Sequence, residues 1–84
     1  MFQPQIIEVK PLSDYMLFLR YETGEQRIFD VTPYISGDWF GKLKDYKYFN
    51  TVRLNGDTVE WEGGQDIAPH ELYEYASPQQ KELY

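Results

Sequence analysis

Trp61-Glu62-Gly63-Gly64-Gln65-Asp66-Ile67-Ala68-Pro69-His70-Glu71-Leu72-Tyr73 is the stretch from which the rest of this chain is best read. An indole closes a strand, two glycines turn the chain, and a proline starts a helix that the spacing predicts to run to about Tyr75. Ala68, at the cap position, carries no side-chain acceptor. Asp66 is then the nearest carboxylate able to meet the free amides of the first turn and the positive end of the helix dipole. The expectation is a structural lock, with Trp61 under the sheet, Asp66 at the helix mouth, Pro69 opening the helix and Leu72 closing the core.

Just upstream, Thr51 to Leu54 and Asp57 to Trp61 alternate in polarity around Asn55-Gly56, the dipeptide best suited to a two-residue hairpin with positive φ angles. That loop places Val52 opposite Val59, and assigns Val52, Leu54, Val59 and Trp61 to the core face. Arg53 and Glu60 then lie within diagonal reach on the other face.

The N-terminal half carries a second hairpin. Tyr15 to Tyr21 has the period of a strand, Glu22-Thr23-Gly24-Glu25 reverses the chain, and Gln26 to Val31 returns. A two- or four-residue loop would set Arg20 against Arg27. A three-residue bulged loop with Gly24 in the left-handed region instead pairs Leu17 with Phe29 and Arg20 with Gln26, and buries Leu17, Leu19, Phe29 and Val31 together. Ile6 to Lys10 is a β-branched run stopped by Pro11, which suits an edge strand. Between the hairpins, Pro33 to Ile35, a piece capped by Asp38 with Phe40 and Leu43 on one stripe, and a turn from Asp45 to Phe49 read as short, partly 3₁₀ segments. The fold class expected is α+β, a small antiparallel sheet of two hairpins plus an N-terminal edge strand, with short helices after each hairpin. Residues 1–76 form one domain, and 77–84 a tail that frays or makes a short helix.

Composition bounds the chemistry. With 84 residues and no cysteine, there is one small core and neither a disulfide nor a thiolate metal site to support it. No stretch approaches the length of a membrane span, so a cytoplasmic protein is expected. His70 is the single histidine and reads as an exposed first-turn residue. Ser13, Ser36 and Ser77 are turn and cap serines, and Gly63-Gly64 lacks the spacing and the lysine of a phosphate loop. Asp30, Glu60, Glu62 and Asp66 are read as surface charge and capping groups in preference to a hydrolytic pair. No catalytic, metal or cofactor-binding residue is assigned, and the chain is read as a non-enzyme without a cofactor.

What stands out is the surface. Two tryptophans, eight tyrosines and five phenylalanines are many for this length. The net charge is −6, and residues 57–84 hold seven acids against Lys81 alone, whereas residues 1–56 are balanced. An acidic final third disfavours a phosphate backbone there and suits a basic partner. Tyr15, Tyr34, Tyr73 and Tyr75 are the rings expected on an interaction surface. The alternative reading uses the Lys42 to Arg53 segment, where Lys42, Lys44, Lys47 and Arg53 are interleaved with Tyr46 and Tyr48 in the manner of a single-strand nucleic-acid binder.

The order Val9-Lys10-Pro11-Leu12-x-Asp14-Tyr15, Gly24-Glu25, Phe29-Asp30-Val31, Phe40-x-x-Leu43-x-Asp45, Phe49 and Trp61-x-x-Gly64-x-Asp66-Ile67-x-Pro69-x-x-Leu72-Tyr73 resembles the bacterial family called domain of unknown function 2442. The resemblance runs from about Ile6 to Tyr75. It implies a small α+β domain, followed in some members by a DNA-binding helix-turn-helix for which this chain as it stands has no room. Many members are encoded beside another small protein, as toxin–antitoxin pairs are. It brings no catalytic residues. The function expected is therefore a protein-interaction module, the antitoxin-like partner of a small basic protein encoded nearby. Pairing of two copies through the Ile6–Val9 edge is a further expectation.

Overall fold

The computed structural model describes residues 4–35, 37 and 41–78. The expected Asp38 cap and Phe40 lie outside the described residues. Strands β1 (Ile6–Leu12), β2 (Met16–Tyr21), β3 (Gln26–Asp30), β4 (Arg53–Asn55), β5 (Thr58–Glu60) and β6 (Ser77–Pro78) accompany helices α1 (Tyr46–Phe49) and α2 (Pro69–Glu74). The protein is a small α+β domain, but its two hairpins do not share one sheet as expected. β1-β2-β3-β6 form one antiparallel sheet, and β4-β5 form another.

The first hairpin adopts the bulged register. Leu17 faces Phe29 and Arg20 faces Gln26. Gly24 has φ +90°, its amide bonds to the Tyr21 carbonyl at 2.8 Å, and the Tyr21 amide bonds to the Glu25 carbonyl at 2.9 Å. A glycine that accepts a left-handed φ without strain thus spares the chain the Arg20–Arg27 confrontation. Leu17, Leu19 and Tyr21 alternate into the core with Phe29 and Val31. β1 does not stop at Pro11 but continues through it to Leu12. Proline has no amide hydrogen to lose from an outer strand, so the ladder to β2 survives. Ile7 is an extra residue in that ladder, bulged out and 43% exposed. Ser77 and Pro78 pair with Ile28 and Arg27, so the sheet takes in the first two residues of the expected tail.

The second hairpin departs from its expected register. Arg53 faces Glu60, Leu54 faces Val59 and Asn55 faces Thr58, leaving Gly56-Asp57 as the loop. Gly56, at φ +62°, is the left-handed residue of this turn, and Asn55 is not. The shift brings Arg53 directly across from Glu60, with Nη2–Oε2 at 2.7 Å, and lets the Asn55 amide donate to the other Glu60 oxygen at 2.8 Å. Leu54, next to the hairpin loop, is 39% exposed rather than core, although Val59 opposite it is buried. Thr58 is instead drawn inward, and its hydroxyl donates to the Ile67 carbonyl.

The core joins Ile6, Leu17, Leu19, Tyr21, Phe29 and Val31 of the first sheet to Leu43, Phe49, Val59, Trp61, Ile67, Leu72 and Ala76. No helix among the described residues is long and apolar enough to cross a membrane. One polar atom inside is unusual. Tyr21 is 1% exposed, and its hydroxyl has no hydrogen-bond partner among the described residues. Burial pushes its phenol up to about 12.

The unfolded chain therefore releases the Tyr21 proton at lower pH than the folded one, and this contribution to stability is lost as pH rises from about 10 towards about 12. Urea denaturation at pH 7 and above pH 10 checks this. Tyr21→Phe, which removes an unpaired buried hydroxyl, is expected to be at least as stable at pH 7 and to lose less on alkaline titration.

Candidate interaction surfaces

The Trp61–Tyr73 stretch folds as a second copy of the first turn. The Gly64 amide bonds to the Trp61 carbonyl at 2.9 Å, the Trp61 amide bonds to the Gln65 carbonyl at 2.8 Å, and Gly64 has φ +96°. Tyr21-Glu22-Thr23-Gly24-Glu25 and Trp61-Glu62-Gly63-Gly64-Gln65 are thus one motif used twice, an aromatic, a glutamate, a free position, a left-handed glycine and a carboxylate or amide. Beyond the second turn, Asp66 bridges Glu60 as the return strand. Strand alternation then decides which side chain goes inside. Gln65 and Ile67 are buried, and Asp66 is exposed.

Asp66 is therefore not the helix cap. α2 begins at Pro69 behind Ala68 with no side-chain cap, because Asp66 is committed to the bridge and faces outward. The buried polar group of the segment is Gln65, fully enclosed, whose Oε1 accepts the Tyr48 hydroxyl at 2.7 Å. The same hydroxyl accepts the Gly63 amide at 2.5 Å. A Cβ at Gly63 would lie 2.1 Å from it, so this position requires glycine for space and not for φ. Trp61 is wholly buried and donates its indole N–H to the Phe49 carbonyl at 2.9 Å. α1 itself is capped as expected, by Asp45 accepting the Lys47 amide at 3.0 Å. Leu72 is buried and Pro69 occupies the first turn of α2.

The four candidate tyrosines separate into three environments. Tyr73 is engaged internally. Its ring centroid lies 4.2 Å from the Arg27 guanidinium carbon, its hydroxyl donates to Glu25 at 2.9 Å, and it forms a T-shaped pair with Tyr21. Arg27 also donates to the carbonyls of Tyr73 at 3.2 Å and Ala76 at 3.1 Å, satisfying the C-terminal end of α2 and holding β6 beside β3. Tyr15 stacks on Tyr46 with centroids 4.6 Å apart and donates its hydroxyl to the Lys44 carbonyl at 2.5 Å.

Tyr34 and Tyr75 form the third environment, together with α2. The Tyr34 hydroxyl donates to Glu71 Oε1 at 3.0 Å. Burial first, then Glu71 and the nearby Tyr75, pushes the Tyr34 phenol up to about 12. Tyr75 is 68% exposed, more than any other large hydrophobic side chain among the described residues. Glu74 and His70 are exposed on the same helix. Among the described residues no group of three or more histidines and carboxylates is arranged to hold a metal ion.

In the alternative segment, Arg53 is tied to Glu60 and Tyr48 to Gln65 and Gly63. Lys42, Lys44 and Lys47 are exposed and enter none of the ion pairs found among the described residues.

These features define a small α+β domain of two antiparallel sheets, stitched by a repeated glycine turn and presenting aromatic rings at its rim. Residues 6–78 match the family described as "Protein of unknown function (DUF2442)", and the chain belongs to that family. No curated protein and no solved structure matches the chain in the same comparisons.

Substitution separates the two polar neighbours of the lock. Gln65→Leu leaves the Tyr48 hydroxyl without its acceptor and is expected to cost about 1–3 kcal/mol, whereas Asp66→Ala is expected to stay within about 0.5 kcal/mol. Gly63→Ala, which displaces the Tyr48 ring, should fall with Gln65→Leu. Urea midpoints of the three variants decide it.

Proposed function

We propose that this chain is a non-enzymatic interaction module that binds a small basic protein encoded nearby, in the manner of an antitoxin. The docking face is the exposed side of α2 with Tyr75 at its C-terminal end. The observation that carries this reading is the placement of Tyr75, an exposed ring beside Tyr34 and Glu71 in the acidic third of the chain. Such a site combines apolar contact area with carboxylates, which suits an arginine or lysine side chain laid across the ring. Glu71 is already oriented by the Tyr34 hydroxyl, so little side-chain freedom is lost when a cation arrives. The rim charges Glu74 and Asp66 add attraction at long range.

Co-expression with the neighbouring gene product, followed by affinity capture, tests the proposal. A 1:1 complex is expected at 50 mM salt, weakening as salt rises, with Tyr75→Ala reducing affinity at least about fivefold. Glu71→Gln, which keeps an acceptor for the Tyr34 hydroxyl, should weaken capture while the melting temperature stays close to that of the parent. Capture that is insensitive to salt, to Tyr75→Ala and to Glu71→Gln would remove the proposal.

A further inference from the structure

A second surface is built around Tyr46 and shares no residue with the α2 face. Asp14 and Tyr15 both have φ of +60°, two consecutive left-handed residues of which neither is glycine. An aromatic residue in that region is strained, by roughly 1–3 kcal/mol, and such strain persists only where the surroundings hold it. What holds Tyr15 here is its stack on Tyr46 at 9° between planes, its edge contact with Phe49 and its hydroxyl bond to the Lys44 carbonyl. The outcome is a pre-positioned aromatic pair whose outer member, Tyr46, is 49% exposed.

Tyr46 borders an open groove with Pro11, Leu12, Ser13 and Asn50. Lys42 and Lys44 precede it on the 3₁₀ turn Gly41–Lys44, and Lys47 follows it on α1. Three exposed lysines without ion-pair partners among the described residues stand out in a chain of net charge −6. Two carboxylates adjoin groove-lining residues, Asp45 next to Tyr46 and Asp14 next to Ser13. Asp45 is occupied as the α1 cap, and Asp14 is exposed in the strained turn.

We infer that this surface binds single-stranded nucleic acid, with one base stacked on Tyr46 and the flanking phosphates on Lys42, Lys44 and Lys47. Ser13 and Asn50, which line the groove, supply hydrogen-bonding groups. The groove is open to solvent, whereas sites for small molecules enclose most of the ligand, so a strand passing over it fits better than a free mononucleotide. The site is narrower than the Lys42–Arg53 segment suggests, because Arg53 and Tyr48 are committed elsewhere.

Fluorescence anisotropy of labelled ten-nucleotide single-stranded RNA and DNA at 50 mM salt tests the inference. Tyr46→Leu is expected to weaken binding by roughly tenfold or more, and Tyr46→Phe, which keeps the π-face, to stay within about threefold. Lys44→Ala with Lys47→Ala should reduce the slope of log affinity against log salt by about 1.4, two phosphate contacts' worth. Tyr75→Ala leaves this binding unchanged, which separates it from the α2 face. The inference is overturned if neither strand binds at 50 mM salt, if Tyr46→Leu binds like the parent, or if uridine monophosphate displaces the strand at an equal concentration of nucleotide units.

Discussion

The hydrogen bond from the Trp61 indole to the Phe49 carbonyl fixes the C-terminal half of this molecule. A domain of this size without disulfides has few large side chains with which to fill a core, and an indole buried without a partner for its N–H would lose much of what its area contributes. Here the partner is the last residue of α1, so the ring and the helix end position each other. The bulged turn that follows Trp61 then brings Gln65 back under Tyr48, and the two polar contacts close the gap between the turn and the helix. α2 starts four residues later with its geometry already constrained.

The same turn motif is present twice because it answers the same problem twice. In both places the chain, at a buried aromatic at or just past a strand end, must reverse within three residues and deliver a long polar side chain to the inside of the turn. At Tyr21 the polar group is Glu25, which reaches Arg27 and Tyr73. At Trp61 it is Gln65, neutral because it is fully buried. The choice of glutamate against glutamine follows burial and the availability of a cation.

Much of this was readable in the sequence where a choice was local. The register of the first hairpin followed from avoiding two facing arginines, and the Asp45 cap from a single side chain. The register of the second hairpin is not decided by the local Asn55-Gly56 preference, because the pairing is set by Glu60 gathering Arg53 and Asn55 and by Thr58 reaching Ile67. For a related reason, Asp66 does not cap α2. Only the return of the chain beside Glu60 reveals that alternation turns Gln65 inward and Asp66 out. For the tyrosines, composition announces a surplus of rings but not which of them are used internally. Tyr73 is consumed by Arg27 and Glu25, whereas Tyr75, two residues on, is left in solvent.

Both outer strands of the larger sheet contain a proline, Pro11 in β1 and Pro78 in β6, and β1 is interrupted further by the Ile7 bulge. A foreign strand laid against either margin meets a missing donor, and at β1 also a break in the pleat. Among the described residues the sheet is thereby bounded on both sides without being closed into a barrel. In a chain so rich in aromatic residues, that arrangement limits the growth of the sheet from one molecule into the next.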